Sequence, residues 1–256
     1  MEARNDALSA EILKEKLGQN IEVFHYPSID STNNQAKRLL SEVNNKKFLV
    51  VADTQTNGRG RQGKSFFSPA FSGIYMSYVF HPMKDFSSSV TATTAASVAV
   101  CRAIEKLTDR KPEIKWVNDI YLDGKKICGI LCEAISDFET KTVTSVIVGI
   151  GVNIKTEVFP EDVENASSLG ADVKRADLIS AITKELEKIV DCGYNSFIDY
   201  YRAHSMIIGK EIDIIENSVI THAKALALED DGALVVELEN KKIKTLRSGE
   251  ISIRRI

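Results

Sequence analysis

Hydrophobic and polar positions divide the chain into a long stretch of mixed periodicity and a short one of strict alternation. Leu8, Ile12, Leu13 and Leu17 recur at helical spacing and Gly18 follows as a stop, which predicts a short opening helix, an appendage to the rest. Ile21 to Tyr26 reads as a strand, and Asp30, Ser31 and Thr32 then offer N-cap chemistry to a helix carrying Ala36, Leu39, Leu40 and Val43. A strand over Phe48 to Ala52 leads into Thr54 to Ser68, which is polar, cationic and glycine-rich and reads as a long loop. Ile74 to Phe80 reads as a strand, and Ala96, Val100, Ala103, Ile104 and Leu107 mark the buried stripe of a helix rich in small residues.

Beyond Pro112 come short strands at Glu113 to Trp116 and Ile120 to Leu122, a turn at Asp123-Gly124, and two β-branched runs, Ile127 to Ile135 and Thr142 to Ile150, which form the centre of a sheet. Leu178, Ile179, Ile182, Leu186 and Ile189 define an amphipathic helix, and Phe197 to Tyr201 belongs to another. From Gly209 the segments Glu211 to Ile215, Val219 to Leu228, Ala233 to Leu238 and Ile251 to Ile253 alternate between turn signals. That texture predicts a small all-β barrel, with the boundary near Ile207.

Composition narrows the function classes. The 256 residues are 43% hydrophobic and 27% charged, with a net charge of −3, so disorder, collagen and coiled coil are excluded. A near-neutral balance leaves no general attraction to phosphodiester backbones or anionic lipid, so any anion site is local. Cys101, Cys128, Cys132 and Cys192 form no CxxC pair and no zinc-like spacing, and are read as free buried thiols in a reducing compartment. The first residues are charged and lack a signal-peptide core. The longest apolar stretch, Val143 to Ile154, is broken by Gly149 and Gly151 and falls short of the ~18 residues a membrane span needs. These features point to the cytoplasm.

Gly58 to Ser65 matches two nucleotide patterns at once, G-x-G-x-x-G and G-x-x-x-x-G-K-S. Both require a helix that begins at the loop and turns its amides to the phosphates, whereas Phe66 to Gly73 is aromatic, interrupted by proline and leads to a strand. Neither pattern survives that test. A flexible segment bearing Arg59, Arg61 and Lys64 remains, able to close on a polyanion, or else a solvated basic loop. Lys115-Trp116-Val117-Asn118-Asp119, followed by Gly124 to Leu131, sets cations, an amide and a carboxylate on adjoining strands. Gly149-Ile150-Gly151-Val152-Asn153 ends a buried strand with two glycines that permit close approach of a ligand or a backbone, and then presents an amide.

Together with Asp30-Ser31-Thr32-Asn33, these segments in this order resemble the catalytic domain of biotin protein ligases, and the C-terminal alternation is similar to that family's SH3-like cap. The resemblance covers nearly the whole chain and implies an α+β fold. It comprises a mixed-sheet catalytic domain over residues 1–207, with helices packed on it, and an SH3-like β-barrel over 208–256. Only about 20 residues precede the first strand, so the resemblance is to the monofunctional type, without the helical DNA-binding domain.

By that resemblance Ser31, Thr32, Asn33 and Gln55 meet biotin, with helix capping as the alternative role for the first two, and Gly58, Arg59, Gly60 and Arg61 close over it. Arg59 and Arg61 lie near the carboxylate and phosphates, and Lys126 meets the biotin carboxylate and α-phosphate. Gly129 belongs to the same substrate segment. Asn118 positions the adenylate, Asp119 orients the acceptor lysine amine or assists its proton loss, and Asn153 lies near the phosphates or ribose. No residue is singled out as a metal ligand. Val117 stands where the family has proline, Phe66 where a tryptophan is common and Lys64 where an arginine is common.

The implied function is ATP-dependent ligation of biotin, through biotinyl-5′-AMP and with Mg²⁺, to a lysine of the biotin carboxyl carrier domain of acetyl-CoA carboxylase or a related carboxylase. No specific DNA binding and no membrane partner are expected, and monomer and homodimer both stand. The rivals are a lipoate or octanoate ligase of the same fold, a non-catalytic biotin-binding module, and a nucleic-acid binder built on the barrel. Interleaved charges over residues 209–256 argue against the last. The Thr54 to Ser68 loop is expected to be mobile alone, its three cations repelling one another until an anion arrives.

Overall fold

The computed structural model describes every residue except 1–5, 44–45, 83–87, 162, 164, 217–218 and 254–256. A seven-stranded sheet organises the first four fifths of the chain. In chain order its strands are β1 (Glu22–Tyr26), β2 (Phe48–Ala52), β3 (Gly73–Phe80), β4 (Glu113–Lys115), β5 (Asp119–Leu122), β6 (Lys125–Ser136) and β7 (Val143–Asn153). Spatially they run β1-β2-β3-β7-β6-β5-β4, with β1 parallel to β2 and every other pair antiparallel, so the sheet is mixed. The two β-branched runs are β6 and β7, and β7 sits at the centre as the pattern predicts. Asp123 and Gly124, with φ of 52° and 73°, make the tight β5–β6 turn that the Asp-Gly pair signals.

The two faces of the sheet are covered unequally. One packs Leu49, Val51, Met76, Tyr78, Val148 and Ile150 against helices α3 (Ser89–Leu107) and α4 (Arg175–Cys192). Because α3 packs at once on the sheet, α4 and α5, its burial spreads round the helix from Thr91 to Ile104, and Leu107, expected on the stripe, is exposed. On the other face α2 (Thr32–Leu39) seals only one end, against Phe48, Val50, Val79 and Ile147. The uncovered remainder of that face is the floor of the site.

The opening helix is α1 (Ala10–Leu17), capped by Ser9 and stopped by Gly18 at φ 87°. It is no appendage: Leu13 is fully buried and the helix packs on α4 and β1. Helix α2 ends at Leu39, short of the expected Val43, whose side chain is buried in the turn that follows. Of the cysteines, Cys101 and Cys128 are buried, but Cys132 is partly exposed and Cys192 exposed, which corrects the reading of four buried thiols.

A short helix, α5 (Ile198–Ala203), leads to a five-stranded antiparallel sheet of β8 (Glu211–Glu216), β9 (Val219–Leu228), β10 (Leu234–Leu238), β11 (Ile243–Leu246) and β12 (Glu250–Ile253). Strand β11 escapes the pattern because it is an edge strand whose first three residues are exposed, so it shows no buried alternation. Edge strand β4 is blunted by the connecting segment, where Ile114 N donates to His204 O at 2.8 Å and Met206 N to Ile114 O at 3.0 Å. Trp116 Nε1 donates to Gly232 O at 2.9 Å, tying the large sheet to the small one.

Candidate functional site

Sheet register places the site. Residues paired across antiparallel strands point to the same face. One row therefore reads Tyr75, Gly151, Gly129, Asp119, Lys115, and the next reads Ser77, Gly149, Leu131. Glycine at three of these positions hollows the floor. The hollows hold the chain's own side chains: a Cβ on Gly149 would overlap the Asn33 amide, and one on Gly151 the Phe66 ring, which also lies 3.2 Å from a Cβ built on Gly129. The close approach that these glycines permit is thus to Asn33 and Phe66. Gly149→Ala is expected to push Asn33 out of place, costing about 2 kcal/mol in a urea titration. An unchanged midpoint would show that Asn33 has room to shift.

The polar end of the cavity forms where α2 meets this floor. Ser31, Thr32 and Asn33 are all buried at the start of α2, yet the Ser31 hydroxyl makes no capping bond. Gln55 does that work, because its Oε1 accepts from Thr32 N at 2.9 Å and lies 3.2 Å from Thr32 Oγ1. Ser77 Oγ is 2.6 Å from Asn33 Oδ1 and 2.8 Å from Thr32 Oγ1. Asn33 Nδ2 donates to Leu131 O at 3.2 Å and to Glu133 Oε2 at 2.9 Å.

Glu133 also receives Lys37 Nζ at 2.8 Å and both terminal nitrogens of Arg59, at 3.1 and 3.2 Å. Burial pushes its carboxyl up, but hydrogen bonds from Lys37 and Asn33 and the charges of Lys37 and Arg59 outweigh that and hold it below the ordinary glutamate value. Sequence reading missed Glu133. It follows the GIL segment by two residues, and its three partners are far away along the chain.

The other end is cationic. Lys126 Nζ pairs with Asp119 Oδ1 at 2.7 Å, and the same oxygen accepts from Asn118 Nδ2 at 2.9 Å. Asn118 Oδ1 accepts from Arg61 Nη1 at 2.9 Å, and Arg61 Nη2 donates to Gly249 O at 3.2 Å, while Lys64 pairs with Glu250. The Lys126–Asp119–Asn118–Arg61 chain is continuous. Gly249 and Glu250 sit at the start of β12, so the C-terminal sheet supplies part of the wall. The Trp116–Val117 peptide is cis.

Ser31, Thr32, Asn33, Gln55, Arg59, Gly60, Arg61, Asn118, Asp119, Lys126 and Gly129 all line one cavity of about 150 Å³. Gly58 stands behind it, where a Cβ would overlap Phe66 O, which is the reason for glycine there. Asn153 lies at the end of β7 outside that lining; its Nδ2 donates to Ser167 O at 3.2 Å, and its buried Oδ1 has no partner among the described residues.

The expectation of mutual repulsion in the loop needs revision. Gly60 N donates to Lys64 O at 2.7 Å and Phe66 N to Gly58 O at 2.9 Å, folding the segment into a small hairpin. Arg59 turns from it to Glu133 on β6, whereas Arg61 reaches Asn118 and Gly249 and Lys64 reaches Glu250 at the start of β12. Protein carboxylates and carbonyls already disperse the charge.

The profile of the Biotin/lipoate A/B protein ligase family matches residues 26–153, and that of the Biotin protein ligase C terminal domain matches 207–254. The chain belongs to the biotin protein ligase family. It is 32% identical to the bifunctional ligase/repressor BirA of Bacillus subtilis over 250 residues, covering 93% of this chain and 75% of that protein. With the biotin--[acetyl-CoA-carboxylase] ligase of Mycobacterium tuberculosis it shares 25% over 220 residues, 80% of this chain and 79% of the other. The biotin protein ligase of Aquifex aeolicus solved with biotin and ATP superposes with a TM-score of 0.75 at 27% identity, over 91% of this chain and 99% of that one. In this biotin protein ligase fold, an α+β catalytic sheet with an all-β cap, both motif clusters open into the cavity.

Proposed function

We propose that this chain is an ATP-dependent biotin–protein ligase that forms biotinyl-5′-AMP and transfers biotin to a lysine of a carrier domain, that of acetyl-CoA carboxylase or a related carboxylase. Residues 1–207 carry the chemistry and 208–256 cap it. The observation that carries the reading is the division of one cavity into a polar end and a cationic end. Ser31, Thr32, Asn33 and Gln55, braced from behind by the buried Ser77, offer fixed donors and acceptors to a ureido ring, which an octanoyl chain could not use. Lys126 and Arg61 stand at the opposite end for a carboxylate and an α-phosphate.

In the first half-reaction a biotin carboxylate oxygen attacks the α-phosphorus, and the bond from that phosphorus to the β-bridging oxygen breaks, so pyrophosphate leaves with the electron pair. Two anions must meet, and cations fixed in advance lower the cost of that approach. Arg61, held by Asn118 and Gly249, and Lys126, held by Asp119, keep their positions without substrate. In the second half-reaction a neutral lysine amine attacks the acyl carbon, AMP departs and the amine loses a proton. Asp119 Oδ1 is taken by Lys126 and Asn118, which leaves Oδ2 to orient that amine or receive its proton.

Magnesium fits as a companion of ATP. Among the described residues no three His, Cys, Asp or Glu side chains converge, and a magnesium ion held by phosphates and water needs only one or two protein oxygens. The ion neutralises phosphate charge when bound.

We read the enzyme as cytoplasmic and expect it to take no specific DNA. No described helix is long and apolar enough to cross a membrane. The decisive measurement is biotin-dependent exchange of pyrophosphate into ATP, with lipoate as control. Exchange supported by biotin is expected; equal or faster exchange with lipoate would overturn the substrate assignment.

A further inference from the structure

Five cationic side chains line the cavity, and four of them have acceptors: Arg59 has Glu133, Arg61 has Asn118 and Gly249, Lys64 has Glu250, and Lys126 has Asp119. The fifth is Lys115. Its side chain is half-buried, and among the described residues its ammonium makes no hydrogen bond or ion pair. It stands 5.7 Å from the centroid of the Tyr121 ring. Burial pushes its pKa below the ordinary lysine value, against the pull of Asp119 and Glu250. A half-buried cation with no protein acceptor at the wall of an anion pocket is an incomplete site, and a bound anion completes it.

Register says which anion. Lys115 ends the row Gly151, Gly129, Asp119, Lys115, two strands beyond Gly129 and so about 10 Å from it. The polar residues that suit biotin lie at the opposite end, over Gly149 and toward Glu133. Measured from the biotin end, Lys115 lies past Lys126 and Asp119, where the part of ATP beyond the α-phosphate has to go. There negative charge grows on the departing group as the bond to the α-phosphorus breaks.

We propose that Lys115 is a further catalytic residue of adenylation, its ammonium binding the β- and γ-phosphates of ATP and the pyrophosphate that leaves. The assignment rests on the ligase reading above. It predicts a selective defect: the first half-reaction depends on Lys115, and the second, which involves no pyrophosphate, does not.

The test uses the full chain with Lys115→Met and Lys115→Arg variants of unchanged melting temperature. Lys115→Met is expected to lower biotin-dependent pyrophosphate exchange about 100-fold in kcat/KM for ATP and for pyrophosphate, the loss typical of one preorganised charge contact. Lys115→Arg should recover most of it, since the charge is retained. Single-turnover transfer from added biotinyl-5′-AMP to the carrier should stay at the wild-type rate in both variants. Exchange unchanged in Lys115→Met, an arginine variant as poor as the methionine one, or exchange and transfer falling together would each overturn the assignment. A wild-type protein without exchange would instead remove the ligase reading itself.

Discussion

Lys126→Ala is expected to reduce biotin-dependent pyrophosphate exchange by about 10²–10³-fold, equivalent to about 3–4 kcal/mol of transition-state stabilisation, with little change in folding stability. The two halves of that statement have separate physical sources. Lys126 is about one third exposed and its ion pair with Asp119 is open to water, so the pair contributes at most about 1 kcal/mol to the fold. Beside a carboxylate approaching a phosphate, the same charge acts where it cannot be replaced by reorganising solvent.

Asp119→Asn provides the comparison. It removes the charge that holds Lys126 and also the oxygen offered to the acceptor amine, so both exchange and transfer from added biotinyl-5′-AMP are expected to fall. Transfer should fall further, because it loses a direct contact. Lys126→Ala with wild-type exchange would take the lysine out of the reaction, and undiminished transfer in Asp119→Asn would do the same for the carboxylate's role toward the amine.

How much of this was legible in the chain depends on the range of the interaction. Continuous runs of β-branched residues identify β6 and β7, and the 3.6-residue stripe of α4 reads correctly, because each reports its own local burial. Asp-Gly at 123–124 signals its turn through backbone preference alone. Site segments are recognisable as short strings, and eleven of the residues named from them share one cavity.

What stays hidden is which string faces which. Ser31 carries the right chemistry for a cap, but the bond is made by Gln55 from another segment, freeing the Ser31 hydroxyl. The Gly149 and Gly151 pair suggests a close approach without saying that Asn33 and Phe66 make it. Glu133 meets Asn33 and Arg59 across 100 and 74 residues, and Arg61 meets Gly249 across 188. No periodicity records such pairs, because they are consequences of strand order and register.

Glu133→Gln is expected to be the most destabilising polar substitution in the site, and its effect should vary with pH in a defined direction. The carboxylate is one-fifth exposed and gathers Asn33, Lys37 and Arg59 from two other segments. Losing its charge weakens two ion pairs whose cations are about one third exposed, together with the hydrogen bond from Asn33, a cost of about 1–2 kcal/mol near neutral pH. Since the folded pKa lies below the ordinary value of 4.5, the carboxylate stabilises the folded state fully above that value. As pH falls through the lower folded pKa, the contribution disappears.

Urea titrations of the two proteins should therefore differ most between about pH 6 and 8 and converge in acid, since wild type at low pH carries the same neutral side chain as the variant. The loop should respond as well. Arg59 holds the Gly58–Ser68 hairpin to β6 through Glu133, so trypsin is expected to cut at Arg59, Arg61 and Lys64 faster in the variant, and biotin binding should weaken. Equal urea midpoints at pH 7, or a gap that persists undiminished at low pH, would show that the network is screened by solvent and that the loop is held by its own backbone bonds instead.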